Sequence, residues 1–333
     1  MAGATVYYDD DADLSVLDDR TVAVIGYGNQ GRSQALNMRD SGVSVVIGNR
    51  SDEYRQAAID DGFEAFPIAE AADQGDVLCL LVPDEVAPEV FETDIEGQLR
   101  KGDALCFSHG YNITYDRLRP PEAVDVVLVA PRMGGWAVRE RYEAGTGFPS
   151  IVGVHRDYTG AAKERTLALA KAIGSTRSGA IEGTFDMETT ADLLTEQGFF
   201  PIVLNAMMAK YEVERAHGIP PEIILTELYL SYEMAEILAA MADQGFLGQL
   251  PSHSTTSQYG QLSRTKGFDR EALVEFYETQ LEGIDDGSFA RELAAERSAD
   301  RSELERLYEE FRETDFFEAE RETMAKLDLG VED

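Results

Sequence analysis

Cysteine, lysine and long apolar runs are all scarce in this chain of 333 residues, and each shortage excludes a class of protein. The two cysteines, Cys79 and Cys106, lie in apolar runs, which predicts buried thiols in a reducing compartment and excludes a disulfide framework. No apolar stretch reaches the ~18 residues that a membrane span needs. The first residues also lack the basic and apolar regions of a signal peptide. We therefore expect a cytoplasmic protein that does not bind a membrane.

Positive charge is also scarce. Twenty-nine Lys and Arg residues face 63 Asp and Glu residues, which gives a formal net charge of -34. Such a surface repels phosphates, so nucleic acid and anionic membranes are not expected partners. Acidic residues spread along the whole chain, with few lysines, resemble the composition of cytosolic proteins from salt-loving organisms, where salt screens self-repulsion. An acidic protein from an ordinary habitat is the alternative.

Hydrophobic patterning divides the chain into two parts. Short apolar runs alternate with helical stretches in the first part, which predicts an α/β domain of the Rossmann type with a parallel sheet covered on both faces. Long helical patterns without strand signals follow, which predicts an all-α second domain. We place these domains at residues 1–181 and 182–333. The predicted strands are Thr21–Ile25, Val43–Ile47, Val77–Val82, Ala104–Ser108, Val124–Ala130 and Ser150–Val154; the later helices are Asp186–Lys210, Pro221–Asp243, Arg270–Gly283 and Ser302–Leu327.

A glycine-rich turn follows the first predicted strand. Its Gly-x-Gly-x-x-Gly pattern lies between Thr21–Ile25 and a stretch of helical composition, Gln30–Asp40. The first glycine permits a tight turn, the second lets the backbone approach a pyrophosphate, and the third lets helix and strand pack closely. The N–H groups at the start of the helix would face the phosphates. The pattern predicts a nicotinamide-dinucleotide site at Gly26, Tyr27, Gly28, Asn29, Gln30 and Gly31.

The segment after the second predicted strand is expected to select the cofactor. Arg50 and Ser51 could hold the 2′-phosphate of NADPH. Asp52 and Glu53 would repel that phosphate or hydrogen-bond a ribose hydroxyl, or they are solvated surface charges. The sequence therefore leaves NADPH and NADH both open.

Two acidic residues, Asp192 and Glu196, are four positions apart on one predicted helix and so share a face. Carboxylate oxygens suit Mg²⁺, which takes oxygen ligands. Such pairs are usually surface charges, but the helix around this pair is largely apolar, and buried carboxylates need a partner or a metal. The pair is therefore a candidate magnesium site.

Blocks in the same order along nearly the whole chain resemble the ketol-acid reductoisomerase family, in its short form with a single helical domain. The shared blocks are Gly26–Gly31, Leu81–Glu85, Ser108–Ile113, Val129–Pro131, Asp192–Gln197, Pro220–Glu222 with Glu227, Ser254–Gly260 and Asp286–Glu292. The resemblance implies NAD(P)H, Mg²⁺ and a keto-acid substrate. In that family an alkyl group migrates in a 2-hydroxy-3-keto acid, acetolactate, and hydride then reduces the product to a 2,3-dihydroxy acid for branched-chain amino-acid synthesis.

The resemblance also implies roles for individual residues. Asp192, Glu196 and Glu227 would bind metal, with Glu227 supplied by the partner subunit of a homodimer whose active site is shared. Ser254 would bind the substrate carboxylate. His109 would lie beside nicotinamide and substrate. The loop with Pro83 and Asp84 would contact the cofactor, and the helical domain would be knotted and would carry the dimer interface.

Three positions depart from the family pattern. Ser231 stands where the family has a second glutamate four residues after Glu227, which weakens or removes a second metal site. Arg132 replaces a lysine and offers a planar fork in place of a point charge. Trp136 replaces a histidine and either meets a ligand or is a core aromatic.

These departures leave three functions open. The first is a complete reductoisomerase. The second is a reductase of the same fold that acts on another 2-keto acid, with Arg132 as the electrophile and the isomerase step lost, because migration depends most on a two-metal clamp. The third is a non-catalytic dinucleotide-binding regulator. His253, beside Ser254, either contacts substrate or is a loop residue.

Overall fold

We describe residues 3–299 and 301–329 of a computed structural model of the chain. Its internal contacts divide the chain into two compact units, residues 1–192 and 193–333. The first unit contains a nine-stranded sheet in the order β1-β9-β8-β7-β6-β5-β2-β3-β4. The strands are β1 Val6–Tyr7, β2 Thr21–Ile25, β3 Ser44–Gly48, β4 Glu64–Phe66, β5 Val77–Leu80, β6 Ala104–Phe107, β7 Asp125–Pro131, β8 Ser150–Arg156 and β9 Ala180–Glu182.

The six predicted strands are all present, and the predicted parallel sheet is confirmed except at one edge, where the pairing is antiparallel. Strands β4, β3, β2, β5, β6 and β7 are parallel, whereas β8 pairs antiparallel with β7. A helix, α6 Gly135–Glu143, and a loop connect β7 to β8 without a crossover to the far end, so the chain returns in the opposite direction. Buried apolar strands read alike in either direction, and the pattern therefore could not reveal this reversal.

Helices cover both faces of the sheet. Along β2, Val22 and Val24 belong to one buried apolar cluster, and Ala23 and Ile25 belong to the cluster on the opposite face. Both cysteines are free and buried, as predicted. The other helices of this unit are α1 Asn29–Asp40, α2 Glu53–Asp60, α3 Ile68–Gln74, α4 Ala87–Val90, α5 Tyr111–Thr114, α7 Ala162–Ile173 and most of α8 Phe185–Leu194.

The second unit is helical, as predicted, but its helices are shorter than the sequence suggested. The predicted helix Asp186–Lys210 is interrupted by a π-helical segment, Thr195–Phe199. The predicted helix Pro221–Asp243 is interrupted by a second, Thr226–Leu230, and by Tyr232 at φ 65°. The helices are α9 Phe200–Ala216, α10 Pro221–Leu225, α11 Glu233–Gln244, α12 Phe246–Gln249, α13 Thr255–Gly267, α14 Glu271–Asp285, α15 Ser288–Ser298, α16 Ser302–Arg312 and α17 Asp315–Lys326.

A small core holds part of this unit together. Tyr211 of α9, Leu225 of α10 and Phe316 of α17 pack in one buried cluster. The predicted helix Ser302–Leu327 is two helices, because the chain leaves helical geometry at Thr314 before α17 begins. Within the described residues, none of the helices combines the length and the apolar character that crossing a membrane requires.

Candidate active site

The glycine turn has the geometry that its sequence predicts. Gly26 has φ 97°, in the left-handed region that favours glycine. A Cβ at Gly31 would lie 1.9 Å from the carbonyl oxygen of Gly26, so helix α1 can meet strand β2 only through a glycine. A Cβ at Gly28 would meet nothing within 4 Å, which leaves open space above the turn. The turn therefore combines tight packing below with free space above, as a dinucleotide site requires.

Side chains around the turn hold it in place. The N–H of Tyr27 donates to Oδ1 of buried Asn49 at 3.0 Å. The Tyr27 ring is buried against Phe63, and its hydroxyl donates to Asp61 at 2.8 Å. Gln30 donates to the carbonyl oxygen of Met133 at 2.8 Å. Tyr27 and Gln30 thus stabilise the turn, and their contact with cofactor stays a prediction.

Asp52 holds the segment after β3 together through hydrogen bonds. Its carboxylate accepts hydrogen bonds from Arg50 Nε and Asn49 Nδ2, both at 2.7 Å, and from the N–H of Arg55 at the start of α2. The Arg50 side chain is 82% exposed, and Ser51 is exposed beside it. The guanidinium that could hold a 2′-phosphate is therefore paired with a carboxylate in this structure.

A second group of functional side chains follows strands β5, β6 and β7. Carboxyl ends of parallel strands share one edge of a sheet, and the chain order reverses between β2 and β5, where such sheets bind ligands. His109 Nδ1 lies 2.7 Å from Asp84 Oδ2, and Asn112 Nδ2 donates to Asp84 Oδ1 at 3.1 Å. Asp84, predicted as a cofactor contact, thus orients His109; Pro83 precedes it in the same loop.

Arg132 joins this group through helix α8. Its Nη1 donates to Asp192 Oδ1 at 2.9 Å, and its Nη2 donates to Glu188 Oε1 at 2.7 Å. Glu188 is fully buried and also accepts the N–H of Gly110 at 2.7 Å. We call Asp84, His109, Arg132, Glu188 and Asp192 the charged cluster.

Gly110 allows α8 to approach the loop that carries His109. A Cβ at Gly110 would lie 2.4 Å from Thr189 Oγ1 and 2.6 Å from the carbonyl oxygen of Phe185. Any larger residue would push the helix away and separate Glu188 from the charged cluster. The glycine in the block Ser108–Ile113 is therefore a packing requirement of the site.

Charge balance shapes the charged cluster. Burial alone would lower the pKa of His109, but the hydrogen bond to Asp84 and the charges of Asp84, Glu188 and Asp192 outweigh it and raise the pKa to about 9. Burial raises the pKa of the Glu188 carboxyl, whereas His109 and Arg132 oppose that shift. An imidazolium and a guanidinium thus neutralise most of the charge of three carboxylates.

The donor atoms of the charged cluster fit a divalent cation in type. One ligand atom each of His109, Glu188 and Asp192 lies within 4.8 Å of the others. His109 Nε2 is buried and has no hydrogen-bond partner among the described residues, although Asp192 Oδ2 is 3.3 Å away. Mg²⁺ prefers oxygen ligands, so Glu188 and Asp192 are the matching donors for it.

The other predicted site residues lie in the second unit. Glu196 is exposed in the π-helical segment Thr195–Phe199, and Glu227 is exposed in the segment Thr226–Leu230. Ser254 is exposed and caps helix α13 by accepting the N–H of Ser257 at 3.2 Å. The π-helical turns change the four-residue spacing on which a shared helix face depends. The metal and substrate roles of these residues stay predictions.

Sequence reasoning missed Glu188, although a signal for it existed. Glu188 precedes Asp192 by four residues, and Asp192 precedes Glu196 by four, so the acidic repeat begins one turn earlier than predicted.

Trp136 is not a core aromatic, since it is 69% exposed. His253 Nε2 lies 2.7 Å from Gln249 Oε1, which gives it a local partner in its own loop.

Comparisons with known proteins identify the family of the chain. A family model described as the NADPH-binding domain of acetohydroxy acid isomeroreductase matches residues 16–179, and one described as the C-terminal domain of ketol-acid reductoisomerase matches residues 185–328. A protein of Methanopyrus kandleri named ketol-acid reductoisomerase (NADP(+)) is 44% identical over 99% of this chain and 100% of its own length. A protein of the same name from Pyrococcus abyssi is 45% identical over 86% of each chain.

A solved structure has the same fold over nearly the whole chain. It is described as an NADH-preferring ketol-acid reductoisomerase from an uncultured archean, and it is 36% identical with a TM-score of 0.89, covering 96% of this chain and 98% of its own. Sequence blocks, family models and structural similarity thus agree over both units. The chain belongs to the ketol-acid reductoisomerase family and is an NAD(P)-dependent oxidoreductase.

Proposed function

We propose that this protein converts acetolactate-type 2-hydroxy-3-keto acids to 2,3-dihydroxy acids, at the charged cluster and with hydride from NAD(P)H. The observation that carries the proposal is the placement of the charged cluster at the same sheet edge as the glycine turn. His109 and Arg132 offer positive N–H groups beside two carboxylates, which suits a substrate that gains and loses negative charge on its oxygens.

The first step is a migration that leaves the atom count unchanged. The alkyl group moves with its bonding electrons from C2 to C3, the C2 hydroxyl loses its proton as C2 becomes a ketone, and the C3 oxygen gains a proton. We assign the first proton to the carboxylate of Asp192, which is partly exposed, whereas Glu188 is fully buried. Arg132 and His109 would stabilise negative charge on the substrate oxygens.

The second step is a reduction. Hydride leaves C4 of the dihydronicotinamide and adds to C2, and the C2 oxygen takes a proton. His109 is the proposed proton donor, because its Nε2 has no other hydrogen-bond partner among the described residues and its imidazole is positively charged at neutral pH. Asp84 holds the opposite ring nitrogen and so orients the imidazole toward the charged cluster.

Magnesium is part of the proposal. Asp192 with Glu188 would hold the ion, and Glu196 and Glu227 are the further ligands that family resemblance predicts. When bound, Mg²⁺ would polarise the substrate oxygens. Ser254 as a carboxylate contact, the shared homodimer site, the knotted helical domain and the cytoplasmic location likewise stay predictions.

A reductase without the isomerase step is the second candidate. One contact and one inference from the family resemblance favour it: Arg132 is paired with Asp192 and Glu188, and Ser231 stands where the resemblance predicts a second carboxylate. This candidate would reduce the migrated 2-keto acid but would leave acetolactate unchanged, since migration depends most on metal charge.

One assay separates these candidates. NADPH and NADH oxidation is measured with Mg²⁺ on acetolactate and, separately, on 3-hydroxy-3-methyl-2-oxobutanoate, the migrated intermediate. We expect turnover of both compounds. Turnover of the intermediate alone would establish the reductase without isomerase. Saturable cofactor binding with no turnover of either compound would refute both and favour the regulator.

A further inference from the structure

Arg132 bridges the two carboxylates that best fit a metal. Its two terminal nitrogens each donate to a different carboxylate, at 2.9 Å to Asp192 and 2.7 Å to Glu188. Its Nε donates to the carbonyl oxygen of Ala130 at 3.3 Å, so three N–H groups fix the plane of the guanidinium. A fork held at three points is hard to displace, because charge-assisted hydrogen bonds in a partly buried site are strong.

The bridge also satisfies the charge of the pair. Glu188 is fully buried and cannot stay ionised without nearby positive charge. Arg132 supplies that charge through a direct hydrogen bond at 2.7 Å, and His109 adds to it from 4.0 Å. The Asp192 side chain is 32% exposed and the Arg132 side chain is 27% exposed, so this side of the charged cluster is open to solvent. One terminal N–H on each Nη nitrogen is left for a ligand that arrives there.

We propose that Arg132 is the resident cation of the Glu188–Asp192 pair, so that a divalent ion binds this pair only in competition with the guanidinium. The inference deepens the proposed function and rests on it. The remaining N–H groups of Arg132 polarise the keto oxygen of the migrated intermediate. The reduction step therefore does not require a metal, whereas the migration step does.

Lysine at this position would behave differently. An ammonium group is a compact point charge on a flexible stem and cannot hold two separate carboxylates as a planar fork does. The variant Arg132→Lys keeps the charge but loosens the bridge, and it therefore makes room for a metal. Arg139→Lys is a matched control, since Arg139 is 21% exposed and also pairs with two carboxylates, Asp40 and Glu143.

The test is a Mn²⁺ titration followed by electron paramagnetic resonance, without substrate or cofactor. Arg132→Lys is expected to bind Mn²⁺ about tenfold more tightly than wild type, the range that groups around metal ligands usually control. Arg139→Lys is expected to match wild type. Arg132→Met, compared only if its circular-dichroism melt is cooperative, is expected to bind at least as tightly as Arg132→Lys. Equal or weaker Mn²⁺ binding by Arg132→Lys would overturn the proposal.

A second measurement tests the consequence. Wild-type protein in excess EDTA is expected to keep most of its NAD(P)H-dependent reduction of 3-hydroxy-3-methyl-2-oxobutanoate and to lose turnover of acetolactate. Loss of both reactions in EDTA would overturn the metal-free reduction step. If neither compound turns over even with Mg²⁺, the proposed function fails, whereas the Mn²⁺ titration still decides the role of Arg132.

Discussion

The glycine turn and the charged cluster lie at one edge of the same sheet, yet different physics shapes them. The turn depends on backbone geometry, with a left-handed residue at Gly26 and a carbonyl oxygen that leaves no room for a Cβ at Gly31. The charged cluster depends on side chains from three loops and a helix, whose charges balance one another. A side chain added in the turn should therefore prevent close packing of the backbone. Substitutions in the charged cluster should instead lower activity by amounts that depend on the charge removed.

A backbone-shaped turn binds the pyrophosphate that every nicotinamide dinucleotide contains, so it does not depend on the substrate. The charged cluster is the proposed substrate site, and there the family resemblance identifies Arg132 as a departure. Cofactor binding and substrate chemistry should therefore respond to separate sets of substitutions.

The largest effect is expected at Gly31. In Gly31→Ala the new methyl group collides with the backbone at Gly26, so α1 must move away from β2. We expect NADPH affinity to fall on the order of a hundredfold, about 2.7 kcal/mol, by calorimetry. Gly97→Ala is the control, because a Cβ there meets nothing within 4 Å. Unchanged affinity in Gly31→Ala would mean that the turn is not the dinucleotide site.

Glu188→Gln should separate the two regions. The amide keeps the shape but removes the buried charge that Arg132 neutralises. We expect kcat/KM to fall about a hundredfold, as for removal of a proton-transfer or charge-balancing group. The dissociation constant of NADPH should change less than about threefold, because such a change is within ~0.7 kcal/mol. A large loss of NADPH affinity would show that the glycine turn and the charged cluster are energetically coupled.

Asp52→Asn is expected to act mainly on cofactor choice. The change removes the carboxylate that holds Arg50 and that would repel a 2′-phosphate. We expect the ratio of kcat/KM for NADPH over NADH to rise about tenfold, or 1.4 kcal/mol. A constant ratio would show that Arg50 and Asp52 do not select the cofactor.

The smallest effect is expected at Tyr27. Tyr27→Phe removes the hydrogen bond to Asp61, which is partly exposed and also paired with Arg32, so unfolding free energy should fall by about 1 kcal/mol. Arg32 and Tyr27 both lower the pKa of Asp61 below its ordinary value of 3.8. A lowered pKa stabilises the fold above the ordinary value, and this stability is lost as pH falls through the folded-state pKa. Urea unfolding at pH 7 and pH 3 should therefore show the difference shrinking in acid.

The sequence predicted the turn better than the charged cluster for a physical reason. Glycine spacing encodes the backbone conformation locally, and the structure confirms the tight turn at Gly26 and the close packing at Gly31. The cluster joins segments about 25 to 108 residues apart, and only the fold reveals that Asp84 contacts His109 or that Arg132 reaches Glu188. Helical spacing identified Asp192 and the family resemblance identified His109, but Glu188 lay outside both the predicted pair and the matched block.

Irregular helices limited the prediction in the second unit. Helical periodicity does not reveal a π-helical turn or a single left-handed residue, and so Thr226–Leu230 and Tyr232 were predicted within one continuous helix. The direction of β8 was also hidden, because an apolar run predicts a strand but not the direction in which it pairs.

The proposed migration and hydride transfer are tested most directly by following one deuterium atom from the cofactor to the product. The protein is incubated with acetolactate, Mg²⁺ and NADPH, or NADH, deuterated at the transferred position of C4, and the product is analysed by NMR. The account predicts 2,3-dihydroxy-3-methylbutanoate with deuterium on C2, which requires migration followed by hydride transfer. Deuterium on C3 of unrearranged 2,3-dihydroxy-2-methylbutanoate, or no deuterium in any product, would contradict it.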